Sequence, residues 1–193
     1  SGRIPRLPPL ALADVGQAQW RFDRLAATVD LTHPWRTPQA ERLDAQTFDT
    51  WIHRTARTQA GRDFFRVAAQ AIFATEAANL SLLHALFYAR SGNNLEFLLS
   101  SADGAQQDRV VGGAQQLPQG LADQLGERVM LNCPVQRIAQ LDQGVVVEAA
   151  GVVIDASFVI VSVPPALAGA LDFDPVLPAD RAQLLQRMPH GSV

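Results

Sequence analysis

The sequence predicts a mixed chain of the α+β / α/β class, in which a helical portion is joined to part of a sheet-containing one. Three observations carry that expectation. Apolar residues recur at helical spacing through residues 1–110. From Arg109 the texture changes to short alternating runs broken by turn signals. One uninterrupted apolar run, "FVIVSV" at 158–163, then closes on Pro164-Pro165. Such a run suits a strand covered on both faces, as in a parallel sheet.

In chain order, Leu12, Val15, Trp20, Phe22, Leu25, Ala26 and Val29 define a first helix, which Pro34 and Pro38 end. Thr47 is placed to cap "FDTWIHRTAR", with Gly61 ending or interrupting that helix. "RDFFRVAAQAIFATEA" reads as a helix apolar on most sides. "NLSLLHALFYARSG" reads as another, capped by Asn79 or Ser81 and stopped by Gly92. "LEFLLSS" fits either a short strand or a helix tail. Beyond Arg109, "RVVGG" is expected as a strand and "LPQGLADQLG" as a helix stopped by Gly126. "RVMLN", "VQRIAQL", "GVVVEA" and "GVVIDA" then follow as strands of an antiparallel meander, with turns at Asp142-Gln143-Gly144 and at Gly151. A last helix, "ADRAQLLQRM", starts after Pro178.

Composition narrows the function classes. With 48% hydrophobic and 18% charged residues the chain is globular, and 193 residues suffice for one or two domains. A net charge of −3 gives no reason to expect nucleic acid. No stretch has the length of apolar residues that a membrane span needs. All the basic side chains are arginine, so no lysine nucleophile or Schiff base is on offer. The single cysteine, Cys133, excludes an internal disulfide and fits a cytoplasmic location; it reads as a buried, inert thiol. The start, "SGRIPRLPPLALAD", lacks the order of a signal peptide and reads as the middle of a protein.

Gly112-Gly113 raises the question of a phosphate cradle. The pair lacks G-x-G-x-x-G spacing and no Walker sequence is present, so the favoured reading is a backbone turn into a helix. The four histidines are scattered without ligand spacing, which argues against a metal site. No G-x-S-x-G elbow is present. Asp44, Asp49, His53 and Arg57 read as polar pairs on a solvated face. Phe64, Phe65, Phe73, Phe87 and Tyr88 read as core, with an apolar pocket wall as the alternative.

Five stretches taken together resemble the flavin-containing amine oxidase family, the monoamine oxidase group in particular. They are "PWRTPQAERLDAQTFDTWI", "FATEAANLSLLHALFYARSG", "DRVVGGAQQLPQGLADQLGERVMLNCPVQRI", "VIVSVPPAL" and "FDPVLPADRAQLLQRMPHGSV", and they run in the family's order. The resemblance implies that 1–110 belong to a helical substrate domain and 111–175 to a Rossmann-like FAD-binding domain, a β-meander plus a buried parallel strand. It further implies that 176–193 lead back to the substrate domain. Val135 would bind adenine through its backbone, and the turn at Ser162, Val163 and Pro164 would approach the FAD. Ala71 and Ile72 would wall the substrate cavity, Leu98 and Leu99 would form its gate, and Gln106 would be a polar residue near the flavin. The implied partners are a small amine and molecular oxygen.

The family's N-terminal dinucleotide fingerprint, its flavin-contacting lysine beyond "GSV" and its paired aromatics are absent from these residues. No catalytic residue is therefore expected here. The expectation is an internal fragment, inactive alone, with an exposed apolar edge at 158–163 that favours a homodimer. Two other readings stay open: a non-catalytic helical binding or assembly module, and a related flavoenzyme such as a desaturase.

Overall fold

The computed structural model describes residues 7–189 and Gly191. The chain forms two compact units, residues 1–111 with 191–193, and residues 112–190. His190, Ser192 and Val193, at the end of the last family-like stretch, lie outside the described residues.

Among the described residues, six α-helices build the first unit. Helix α1 spans Pro9–Ala26, with proline at its first position, where the missing N–H leaves no partner unsatisfied. Its stripe of Ala11, Val15, Ala18, Phe22 and Ala26 is buried. α2 (Ala40–Asp44) and α3 (Phe48–Thr55) follow, then α4 (Gln59–Phe73), α5 (Leu82–Ser91) and α6 (Leu95–Leu99). Four of these begin on a side-chain cap that accepts an otherwise orphaned N–H: Thr47 from Thr50, Thr58 from Gly61, Ser81 from His84 and Asn94 from Phe97. The starts of α3 and α5 are joined by one antiparallel bridge, Thr47 to Ser81; Phe48 N–H donates to Leu80 O at 2.7 Å and Leu82 N–H to Gln46 O at 3.0 Å.

The helices close over an aromatic core. Phe22 lies 5.3 Å from Phe48 and 5.4 Å from Trp51 between ring centroids, and Phe65 packs edge-on to both Phe48 and Trp51. Asp14 sits within the apolar stripe of α1, only 7% exposed. Its carboxylate accepts the N–H groups of Arg57 and Thr58, the Thr58 hydroxyl and the Gln17 amide, at 2.7–3.1 Å. One carboxylate thereby ties α1 to the junction of α3 and α4. Gly61 is in the first turn of α4 and does not end α3, which already stops at Thr55. A Cβ at Gly61 would stand 2.6 Å from Asp14 Oδ2, which is why the position takes glycine.

The second unit opens with α7 (Gln116–Leu125), stopped by Gly126 at φ 56°. The strands β1 (Val135–Leu141), β2 (Gly144–Ala149) and β3 (Val152–Ala156) form the expected antiparallel meander. A short strand, β4 (Asp172–Asp174), adds to it, giving the order β3-β2-β1-β4, with β1 and β4 parallel. Two helices complete the unit, α8 (Pro165–Ala168) and α9 (Ala179–Arg187). They pack on each other, with Ala168 and Leu185 buried. Gly191 belongs to the first unit, where a Cβ on it would meet Ala74 Cβ at 2.9 Å.

Several expectations are corrected. "RVVGG" is turn and irregular chain, and "RVMLN" continues from a 3-10 turn at Gly126–Arg128 as turn and irregular chain; neither forms a ladder among the described residues. "LEFLLSS" begins as α6, capped by Asn94. Cys133 is half-buried. The largest difference concerns 158–163, which form no ladder among the described residues and are not buried. Phe158 and Ile160 are 88% and 90% exposed, and Val159 and Val161 38% each. The period-2 alternation of a strand is present, but a strand exists only where a second one supplies its hydrogen bonds. The parallel pairing falls on β4 instead, a segment too short and acidic to be read as a strand.

Candidate functional site

The candidates fall into two groups, five residues in the first unit and four in the second. In the first unit, α4 ends at Phe73, and the left-handed backbone of Ala74 (φ 49°) stops it just beyond the expected wall at Ala71 and Ile72. There Ala71 is exposed, while Ile72 is half-buried against the core. α4 packs on α6, and Ile72, Leu98 and Leu99 all belong to the same apolar cluster. Leu98 is only 9% exposed and lies against the bare backbone of Gly92, where a Cβ would come within 2.5 Å of Leu98 Cδ2. Its side chain belongs to the core, and Leu99 is the half-buried neighbour.

The loop after α6 folds back on the helix. Ala105 N–H donates to Phe97 O at 2.9 Å and Gln106 N–H to Ser100 O at 3.0 Å, while Gln106 Nε2 donates to Leu98 O at 3.3 Å. Gln106 is thus exposed yet held in place beside Leu98 and Leu99.

In the second unit, Val135 opens β1, 37% exposed and opposite Ala149. The ladder slips between Val135 and Arg137, and Pro134 O accepts the N–H of Ala150 at 3.3 Å. Arg137 bonds carboxylates on both neighbouring strands: Glu148 at 2.8 Å, Asp174 at 2.5 Å and Asp172 at 3.5 Å. Hydrogen bonding to Glu148, then its charge, raises the Arg137 pKa. Ser162 and Val163 are exposed, and Pro164 leads into α8. Gly112 and Gly113, at φ 81° and 92°, turn the chain ahead of α7, as the turn reading expects.

Two features escaped the sequence reading. Asp14 is the first. Burial pushes its carboxyl up, but the N–H groups of Thr58 and Arg57 with the Thr58 and Gln17 side chains outweigh that and bring it down to about 2. A carboxylate interrupting an apolar helical stripe was the available signal. The second is a cavity of about 330 Å³ in the first unit, lined by Asp23, Ala26, Ala27, Leu31, Arg90, Asn93 and Asn94. Burial first, and the charge of Glu96 second, raise the Asp23 pKa, against the Leu95 N–H that lowers it. A smaller, largely apolar cavity of about 250 Å³ lies between β4 and α9, lined in part by Leu171, Phe173, Val176 and Leu185. No cluster of His, Cys, Asp or Glu among the described residues could hold a metal ion. No helix among them is long and apolar enough to cross a membrane.

Residues 2–193 match the family model for flavin containing amine oxidoreductases. The chain belongs to that family. Among its relatives, AofH of Mycobacterium tuberculosis is 39% identical over 98% of this chain, and an L-amino acid dehydrogenase of Synechocystis is 34% identical over 99%. The flavin-containing amine oxidase A of the dog, Canis lupus familiaris, is 28% identical over 96%. The matches span 42%, 40% and 35% of those relatives, so the chain corresponds to about two fifths of their length. Solved structures agree. Putrescine oxidase bound to putrescine superposes on 96% of this chain with a TM-score of 0.85 and 29% identity. Cyclohexylamine oxidase from Brevibacterium oxydans superposes on 95% with 0.86 and 29%; the matches cover 42% and 40% of those chains.

Proposed function

We propose that the protein containing this chain is an FAD-dependent amine oxidase. It takes a primary or secondary amine to the imine, passes the electrons to oxygen as hydrogen peroxide, and after water adds to the imine releases aldehyde and, from a primary amine, ammonia. The observation that carries the reading is the match along the whole chain to a putrescine oxidase and a cyclohexylamine oxidase. Residues 1–110 then form part of the substrate domain, 111–175 part of the FAD domain, and 176–193 lead back.

The residues present fit part of an FAD and not all of it. Val135 stands at a ladder end where the register slips, and Ser162 and Val163 form no strand pairing, so the turn at 162–163 is the part whose backbone could face a cofactor; the Pro164 carbonyl is already taken by the N–H groups of Leu167 and Ala168. Gly112-Gly113 lack the spacing to cradle a pyrophosphate, and that contact falls outside these residues. When bound, the flavin supplies the hydride-accepting chemistry. The chain's own share is positional. Ala71, Ile72 and Leu99 give an apolar wall that excludes water from the amine's C–H bond. Leu98 anchors the gate helix in the core, and Gln106, held to Leu98 O, offers a polar group to orient the amine. No residue here transfers a proton, and the isolated chain is inactive on this reading. The Synechocystis relative favours a second substrate class, an α-amino acid. The lone cysteine favours the cytoplasm, and the exposed run 158–163 a homodimer.

Purified full-length protein should be yellow, and its flavin absorbance should bleach when an amine is added without oxygen. A panel of a monoamine, a diamine, a polyamine and an α-amino acid sorts the substrate classes. Colourless protein, or a flavin that no member of the panel bleaches, overturns the reading.

A further inference from the structure

Two glycines touch the segment that carries the gate, and neither is demanded by its own backbone. Gly92, which ends α5, has φ −95° and ψ 24°, a conformation open to residues with side chains. Gly104, in the loop after α6, also lies outside the left-handed region. What excludes a side chain at each is a neighbour. A Cβ at Gly92 would stand 2.5 Å from Leu98 Cδ2 and 3.1 Å from its Cγ. Leu98 belongs to the buried core cluster, so its side chain moves only if that cluster repacks. A Cβ at Gly104 would stand 2.4 Å from Ser100 Cβ and 2.7 Å from the carbonyl oxygens of Phe97 and Ser100. Carbonyl oxygens belong to the backbone, and no rotamer change takes them out of the way.

Both contacts fall on 97–100, the end of α6 and the residue after it. α6 has five residues and its first turn is pinned by the Asn94 cap, so a displaced Leu98 carries Leu99 with it. Phe97 O and Ser100 O are the acceptors for the N–H groups of Ala105 and Gln106. Pushing those carbonyls aside therefore unseats Gln106. Gly92 acts on the apolar residue of the gate, and Gly104 on the polar one beside it.

We propose that Gly92 and Gly104 are positioning residues for the amine. Gly92 fixes where Leu99 stands and hence how the body of the amine is held. Gly104 fixes the Gln106 amide and hence how the amine is oriented. The roles toward the amine rest on the oxidase reading, whereas the seating of 95–106 rests on packing alone.

The test uses Gly92→Ala and Gly104→Ala in full-length protein, with Gly16→Ala, where a Cβ meets nothing within 4 Å, as the control. Amide hydrogen exchange at Leu98, Ala105 and Gln106 should be about tenfold faster in both variants, with Phe22, Phe65 and the control unchanged. Gly92→Ala should raise KM about threefold with kcat little changed, and Gly104→Ala should lower kcat by about as much, as Gln106→Leu does. Combining Gly92→Ala with Leu98→Ala gives the added methyl room and should return KM toward the parent value, even where Gly92→Ala alone is too unstable to purify. Unchanged exchange at Leu98, Ala105 and Gln106 overturns the proposal, and so does exchange accelerated equally at Phe22 and Phe65. Parental KM and kcat in both variants, or no recovery in the combined one, overturn it too. Anaerobic bleaching of the parent flavin by an amine tests the oxidase reading separately, and the exchange rates judge the seating whichever way that result falls.

Discussion

The two units of this chain use apolar residues in opposite ways. In the first, Phe22, Phe48, Trp51, Phe65, Leu82 and Leu86 are enclosed by helices that contact one another on several sides. In the second, Leu117, Leu121 and Leu125 form a stripe at four-residue spacing along α7 and all three are exposed, as are Phe158, Ile160 and Val153. Both stretches are equally apolar in sequence. What differs is whether partners are present: the helices of the first unit cover each other's stripes, whereas α7 and 158–163 present faces that helices and sheets ordinarily bury. A residue's apolarity sets what it can contribute, and its neighbours decide whether it contributes.

That contrast can be broken most severely in the aromatic core. Phe22→Ala in the 193-residue chain should cost roughly 3–5 kcal/mol, whereas Phe158→Ala should stay within about 0.5 kcal/mol. Urea denaturation of both variants checks it. Comparable losses would mean that 158–163 are covered after all.

Next in size comes the Asp14 clamp. Its folded value of about 2 lies below the ordinary 3.8, so its ionised form is the one that stabilises the fold. The contribution, about 2 kcal/mol, is complete above pH ~4 and is lost as the pH falls through ~2. Asp14→Asn should flatten the acid limb of a stability–pH curve in that window. Asp23 acts with the opposite sign, since a raised carboxylate value costs stability above it and returns that stability as the group takes up a proton. An Asp23→Asn chain should therefore lose less with rising pH than the parent through the acid range.

Gly61→Ala sharpens the same clamp. The new Cβ collides with Asp14 Oδ2, and a loss of about 1–3 kcal/mol is expected, relieved in the Asp14→Ala background. A double-mutant cycle by thermal melting reads the coupling. The smallest effect belongs to the second unit: Arg137→Gln removes solvent-exposed ion pairs, and its shift in melting midpoint should be slight and vanish in about 1 M salt.

Much of the helical architecture was legible because it is local. Thr47 and Ser81 as caps, Gly92 and Gly126 as stops, and Pro178 ahead of α9 each act through groups within a few residues, and the structure uses all of them. The meander was legible for the same reason, since Asp142-Gln143-Gly144 and Gly151 bring adjacent strands together. "RVVGG" and "RVMLN" have strand-like composition, but composition alone supplies no second strand to bond with. The site candidates were legible only through family resemblance: nothing local marks Gln106, whose tether to Leu98 O depends on a loop folding back on α6.

By itself, then, the sequence determined where helices start and stop, which strands form hairpins, and the family to which the chain belongs. These depend on short-range geometry and on the order of motifs. The tertiary structure alone decided that Asp14 would bind the α3–α4 junction, that Leu98 would enter the core beside Gly92, and that Asp23 and Arg90 would line one cavity without touching. Each of those joins residues distant in the chain, and such pairings are set by packing, which no single segment encodes.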